Sequence, residues 1–306
     1  MNSKILLGLL FLALGCNSSS DPKQAKPQAP ATANWGGGKG DVAHDIPEEG
    51  APTSVRSFAV DDAGSVYLLD ALNARIAVYI KGKAAAPVAL PDGRFDDIAL
   101  LPGGGFALLN NAKNVITYLD ADGGPLGETV LEPLGVPASR VTALEVNDAV
   151  WVEVDGEYSV KVASTDGKTV APEAAPATLL LSDFHYSLER KTSQLTTLYR
   201  SPASGGARSA IGQVDFGQSA LEWRLFAAET PDELWVLARV AKTPGEAGES
   251  VLFINLSTDG TEKSRKELAG NEGVEESFRW ARSAPNGKLY WMRFTESGVR
   301  VEEVLP

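Results

Sequence analysis

The stretch SFAVDDAGSVYLLDALNARIAVY, Ser57 to Tyr79, decides how the rest of the chain is read. It holds three short apolar runs. Asp61-Asp62-Ala63-Gly64 parts the first two, and a polar clasp from Asp70 to Arg75 parts the second from the third. Short runs rich in Val, Tyr and Ile, broken by Gly and Asp, are strands joined by tight turns. The pattern recurs as DIALLPGGGFALLN at 97–110, VTALEVNDAVWVEVD at 141–155, RLFAAETPDELWVLAR at 224–239 and RWARSAPNGKLYWMRF at 279–294. A weaker copy, DFHYSLERKTSQLTTLYR at 183–200, fills the remaining gap.

Third strands follow as RIAVYI, NVITYLD, YSVKVAST and VLFINLST. Three of them run into Asp122-Gly123, Asp166-Gly167 and Asp259-Gly260, where a hairpin needs positive φ. Fourth strands come next, as in APVALP and GETVLEP. Four short strands in each unit of roughly 40–50 residues, with almost no helical periodicity, predict an all-β fold: a six-bladed β-propeller of four-stranded blades. The last unit stops at VRVEEVLP without an outer strand, while DVAHDIPEEGAPTSVRS at 41–57 resembles the end of a unit. Residues 41–46 are therefore expected to supply the missing strand and close the ring, which removes an unpaired edge.

The first unit also carries a family resemblance. Asp70, Asn73, Arg75, Ile76, Val78 and Tyr79, after FAVDDAGSVYLL, are similar to the NHL repeat. The second unit keeps only LLNNAKNVITYLD, with Asn110 in place of the aspartate and no arginine. The resemblance implies that Asp70 and Arg75 are structural and pair across the loop between strands.

The N-terminus speaks of location. In MNSKILLGLLFLALGC a lysine precedes a short apolar run that ends in small residues, the layout of a secretory signal and too short to span a bilayer. Ala13-Leu14-Gly15-Cys16 resembles the bacterial lipobox, which implies acylation of Cys16, the only cysteine of the chain. Multiple acyl chains suffice for stable anchoring. NSSSDPKQAKPQAPATANWGGGKG, from 17 to 40, is too poor in apolar residues to offset its ordering entropy and reads as a tether. The expected organisation is a signal peptide over 1–15, a tether from lipidated Cys16 over 16–40 and a propeller over 41–306. Asn17 after the cysteine implies, by the same resemblance, the outer membrane.

Composition excludes several classes. A formal charge of −12 leaves no basic field for nucleic acid. His44 and His185 are the only histidines, too few for a zinc centre of His and Cys ligands when Cys16 carries lipid. No G-x-S-x-G elbow occurs. GGGKG at 36–40 lacks the Ser or Thr and the preceding strand of a phosphate loop. DADGG at 120–124 opens like a calcium loop, but Leu131 stands where the closing glutamate belongs, so it reads as a hairpin turn. Neither a cofactor nor a metal is expected, and the propeller is expected to be monomeric. Trp151, Trp235, Trp280 and Trp291 are expected to pack between blades.

One constellation remains. Aligning the units in register brings Arg56, Asp96, Arg140, His185, Arg224 and Arg279 to equivalent places ahead of the innermost strands, with Trp223 beside them. Equivalent strand entrances converge on one mouth of the channel, so these residues are candidates for an anion- or ligand-binding mouth, arginine being suited to planar anions. The competing expectation is that each arginine braces blades against Asp97, Asp183, Glu222, Glu275 or Glu276. The function expected is a non-catalytic, lipid-anchored envelope module that holds a protein, peptide or glycan. SPASGGAR at 201–208 and AKTPGEAGES at 241–250 would serve as display loops. The alternative is an extracellular hydrolase or lyase working through mouth carboxylates.

Overall fold

The computed structural model describes residues 29–306 except 51, 157, 177–178, 229, 243–247, 274 and 305–306. The signal peptide, Cys16, the larger part of the tether and the middle of the 241–250 loop lie outside the described residues. Strands β1 (Ala31–Trp35) and β2 (Asp41–Val42) precede the first blade. Blade 1 holds β3 (Phe58–Val60), β4 (Val66–Asp70), β5 (Arg75–Ile80), β6 (Lys83–Ala84) and β7 (Val88–Ala89). Blade 2 holds β8 (Asp97–Leu100), β9 (Phe106–Asn110), β10 (Val115–Leu119) and β11 (Pro125–Val130). Blade 3 holds β12 (Val141–Val146), β13 (Ala149–Val154), β14 (Tyr158–Ser164) and β15 (Thr169–Pro176).

Blade 4 holds β16 (Leu179–Leu181), β17 (Phe184–Arg190), β18 (Leu195–Pro202) and β19 (Ser209–Asp215). Blade 5 holds β20 (Ala220–Ala227), β21 (Glu233–Ala241), β22 (Glu249–Ser257) and β23 (Glu262–Ala269). Blade 6 holds β24 (Ala281–Ser283), β25 (Leu289–Thr295) and β26 (Gly298–Glu303), to which β1 and then β2 are added. The six sheets are antiparallel meanders, apart from the parallel β1–β2 pair. The all-β six-bladed propeller is thus the observed fold. The Asp-Gly turns lie between third and fourth strands, with Gly123, Gly167 and Gly260 at φ of 90°, 80° and 91°.

The near-continuous apolar runs follow from the sandwiching of each blade between two others. Adjacent strand residues point to opposite faces. Leu68 and Leu69 are nevertheless both fully buried, Leu68 against blade 6 and Leu69 against blade 2. Asp120 accepts hydrogen bonds from the backbone N–H of Asp122 (2.9 Å) and Gly124 (2.7 Å), so DADGG is a side-chain-capped turn.

Closure differs from the expectation in its segment. The strand beside β26 is β1, paired as Ala33 with Val299 and Asn34 with Gly298. Residues 41–46 supply only the short β2, outside β1, and an Asp45–Thr53 bridge. The folded body therefore begins about ten residues before the predicted boundary, inside the stretch read as tether. Ala-Thr-Ala-Asn-Trp has the small, polar composition of a linker, yet Ala31 and Ala33 are buried in the apolar cluster between blades 6 and 1. A Cβ on Gly298 would stand 1.9 Å from the Ala33 carbonyl oxygen, so glycine is required for the two backbones to meet.

From β1 the chain crosses to blade 1, and the Asp70 clasp receives it. Arg75 Nε donates to Asp70 Oδ2 at 2.8 Å, as does Asn73 Nδ2. The same groups hold the crossing strap: Ala43 N donates to Asp70 Oδ1 at 3.0 Å, and Arg75 Nη2 donates to the carbonyls of Gly38 and Asp41, each at 2.9 Å. The expected Asp70–Arg75 pair exists, and it binds the strap as well as its own loop.

Blade 4 is framed one strand later than the repeat suggested. DFHYSLERKTSQLTTLYR forms the second and third strands, and the innermost strand is the three-residue β16. An apolar run, a turn and an apolar run look the same for either hairpin, so period alone does not place the first strand.

Five of the six blade junctions are filled by an apolar cluster: blades 6 and 1, 1 and 2, 2 and 3, 4 and 5, and 5 and 6. Among the described residues no such cluster joins blades 3 and 4. Val150, Val152 and Val154 of β13 face blade 2, which turns Trp151 and Glu153 the other way. Tyr186 and Leu188 of β17 pack toward blade 5, leaving His185, Ser187 and Glu189 on the face toward blade 3. Burying a Val or Leu contributes about 1.5–3 kcal/mol. Among the described residues this seam is the one junction without that contribution.

Candidate functional site

A cavity of about 1090 Å³ lies among the innermost strands of the ring and extends into the polar seam. Its walls come from the innermost strands of all six blades, β3, β8, β12, β16, β20 and β24, and at the blade 3–blade 4 seam also from β13 and β17. Its floor includes Arg279 and Arg282 of blade 6. The brevity of β16 makes the space, because blade 4 contributes only three residues where β20 contributes eight.

The charged groups of this region are paired across the ring. Arg224 Nη1 lies 2.9 Å from Glu153 of blade 3, and its Nη2 lies 3.1 Å from Glu222. Glu222 also faces Arg239, which is held by Glu249 at 2.8 Å. Arg279 pairs with Glu145 of blade 3. Burial by itself would raise the Glu145 carboxyl, but the charge and hydrogen bond of Arg279, aided by Arg282 and Arg224, outweigh it and hold the group below its ordinary value. Glu145 is surrounded by protein yet lines the cavity, and its side chain remains 45% exposed to water-sized molecules.

Asp97 is fully buried where blades 1, 2, 3 and 6 converge. Its Oδ1 accepts from Ser57 Oγ, from Ile98 N at 2.9 Å and from Arg282, and its Oδ2 accepts from Leu144 N at 2.8 Å. Four donors on this carboxylate fix four blades to one point. On the guanidinium side the count is incomplete. Arg279 Nε and Nη1 and Arg282 Nε have no hydrogen-bond partner among the described residues, although the two side chains are only 6% and 10% exposed. A buried donor left unmet costs about 1–3 kcal/mol.

The residues predicted to share one mouth divide into groups. Arg224, Arg279 and Trp223 line the cavity. Arg224 and Trp223 lie within β20 rather than at its entrance, because that strand starts at Ala220. Arg56 stands just before β3, pairs with Asp96 at 3.0 Å across blades 1 and 2, and accepts Phe278 N and Arg279 N on its carbonyl. Asp96 also accepts Asn111 N at 3.1 Å. Arg140 is half exposed and bonded to Asp155. His185, on β17, occupies the second strand of its blade, not an innermost entrance.

Among the expected brace partners, Glu222 does meet Arg224, Asp97 meets Arg282, and Glu275 meets His44 at 3.0 Å. Arg282, Glu145 and Glu153 escaped the sequence reading, since nothing in local spacing marks them. Trp235, Trp280 and Trp291 pack between blades 5 and 6. Trp151 does not join a core cluster; it lies on the seam face with Lys161 5.8 Å from its ring centroid. Trp223 is stacked with Phe216 and covered by the Arg190 guanidinium at 4.3 Å.

No family model and no curated protein matches the chain. Solved structures do resemble it. A DUF4221 family member from Bacteroides vulgatus aligns at 12% identity over 81% of this chain and 91% of that one, with a TM-score of 0.48. Virginiamycin B lyase from Staphylococcus aureus aligns at 15% identity over 82% and 95%, with a TM-score of 0.45. A luciferin-regenerating enzyme aligns at 12% identity over 82% and 91%, with a TM-score of 0.47. The activities named there belong to those proteins.

Proposed function

We propose that this chain is a lipid-anchored β-propeller of the bacterial cell envelope that binds a protein, peptide or glycan without transforming it. The observation that carries the binding reading is the central cavity that widens into the blade 3–blade 4 seam, whose charged groups neutralise one another. Arg224, Arg279 and Arg282 face Glu153, Glu222, Glu145 and Asp97, so the mouth offers donors and acceptors with little net charge. Arg56 with Asp96 and Arg140 with Asp155 continue the same pairing around the ring. In this reading Arg224, Arg279 and the flank of Trp223 touch the ligand, and Arg56, Asp96 and Arg140 hold the strands that present them.

The same pairing disfavours a hydrolase or lyase built on mouth carboxylates. Such chemistry needs one carboxyl that keeps its proton. A neighbouring guanidinium favours the ionised form instead. Asp97 is fully buried and is not part of the cavity lining, so it does not meet a substrate.

The signal sequence, the lipobox-like Ala13-Leu14-Gly15-Cys16 and Asn17 support export, lipidation and an outer-membrane address. Crosslinking in intact envelopes followed by purification of the anchored protein tests the reading. A reproducible partner supports it, and turnover of an envelope polymer by the purified protein overturns it.

A further inference from the structure

We infer that the floor of the seam cavity, between Arg279, Arg282 and Glu145, is a subsite for the hydroxyl groups of a neutral carbohydrate; this rests on the binding reading above and specifies its ligand. Three N–H groups there, Arg279 Nε and Nη1 and Arg282 Nε, are buried and have no acceptor among the described residues. An oxygen that reaches them, from water or from a ligand, satisfies them. The ligand need not bring charge, because Arg279 already faces Glu145, Arg282 faces Asp97, and Arg224 faces Glu153 and Glu222. A carboxylate or phosphate seated at that floor would add a negative charge beside Glu145 and Asp97 without a cation to balance it.

A hydroxyl is both donor and acceptor. Hydroxyls on adjacent carbons of a sugar ring present a donor and an acceptor side by side. Each Arg–Glu pair of this cavity presents the complementary arrangement, an N–H next to a carboxylate oxygen. The walls continue it: Thr142, Ser159 and Ser187 line the seam among Glu153 and Glu189. Peptide ligands instead dock chiefly through apolar anchors or a strand edge. The apolar lining that is most exposed consists of Leu180 and Leu221, 55% and 53% exposed, at the sides of the cavity. They suit the C–H face of a sugar ring. Trp223 is not the platform, since Phe216 and Arg190 lie against it.

The full-length protein is titrated with maltotriose, cellotriose and chitotriose, with acetate, inorganic phosphate and trialanine as the other arms. Binding is read by calorimetry and by the side-chain Nε–H resonances of arginine. The expected result is saturable binding of at least one trisaccharide, with the Arg279 and Arg282 resonances shifting. Glu145→Gln should weaken that binding about tenfold with an unchanged circular dichroism spectrum. Because Glu145→Gln can disturb folding, Thr142→Val serves as a second variant at the wall and should weaken binding severalfold. Binding of no trisaccharide, or binding of acetate, phosphate or trialanine that moves the same resonances as strongly, overturns the inference. Capture of a protein partner alongside sugar failure removes the subsite and leaves the binding module standing. Cleavage of a bound trisaccharide would remove the non-catalytic reading and leave the subsite.

Discussion

Arg224 of blade 5 reaches past blade 4 to Glu153 of blade 3, with 2.9 Å between Nη1 and Oε1. The ion pair links the two sides of a gap that β16 is too short to fill. At the other five junctions apolar side chains hold the blades together; here a charge pair spans polar walls. Each partner is about one-fifth exposed, so water screens the attraction only in part.

Glu153→Gln is expected to lower global stability by about 1 kcal/mol, the scale of a partly solvated pair. Amide exchange should rise in β16 and β17 before it rises elsewhere, because no apolar cluster of described residues fills the seam. Urea unfolding together with hydrogen exchange checks both. Uniform exchange across the six blades would show that the seam is no weaker than its neighbours.

Gly298→Val should cost about 1–3 kcal/mol, toward the upper end, since the new side chain meets the Ala33 carbonyl rather than a movable side chain. Loss of β1 from blade 6 should accompany it, seen as new protease cleavage between residues 31 and 42. A stability equal to that of the parent protein would contradict the closure by β1.

Arg75→Ala leaves Asp70, only 1% exposed, without its cation and frees the strap carbonyls of Gly38 and Asp41. The expected loss is about 3 kcal/mol. Arg75→Lys should recover part of it, since lysine restores the charge but not the two-sided reach of the guanidinium. Thermal unfolding of the two variants decides whether the clasp stabilises the ring or only its own loop.

The Glu145 carboxyl titrates below its ordinary value of 4.5 in the folded protein because of Arg279. A depressed folded value means that the stabilisation is complete above about pH 4.5 and is lost as pH falls through the folded value. Glu145→Gln should therefore be less stable than the parent near pH 7 and approach it in acid. Parallel urea midpoints from pH 7 to pH 3 would be incompatible with the pairing.

Cys16→Ser should release the protein from membranes into the soluble fraction and abolish incorporation of labelled palmitate. Retention of the label by the variant would refute acylation at this position.

Much of the ring was legible in the chain because most strand pairing in this propeller is between neighbours in sequence. FAVDDAGSVYLLD and its copies contain both partners of a hairpin and the turn between them, so period and turn chemistry define blade count and register. The Asp70–Arg75 clasp is equally local, five residues apart. Blade 4 was framed one strand late because its innermost strand, Leu-Leu-Leu at 179–181, is too short to announce itself.

Sequence by itself therefore determined the fold class, the six units and the turn geometry, together with a scarcity of His and Cys that limits the metal chemistry the chain can support. Tertiary structure decided which segment closes the ring, which blade junction lacks an apolar core and which charges meet. Arg282 and Asp97 are 185 positions apart, Arg279 and Glu145 are 134, and Arg224 and Glu153 are 71. Contacts of that span depend on the radius of the ring and on the three-residue length of β16. A periodic pattern records which residues are neighbours along a blade and carries no information about which blade stands opposite.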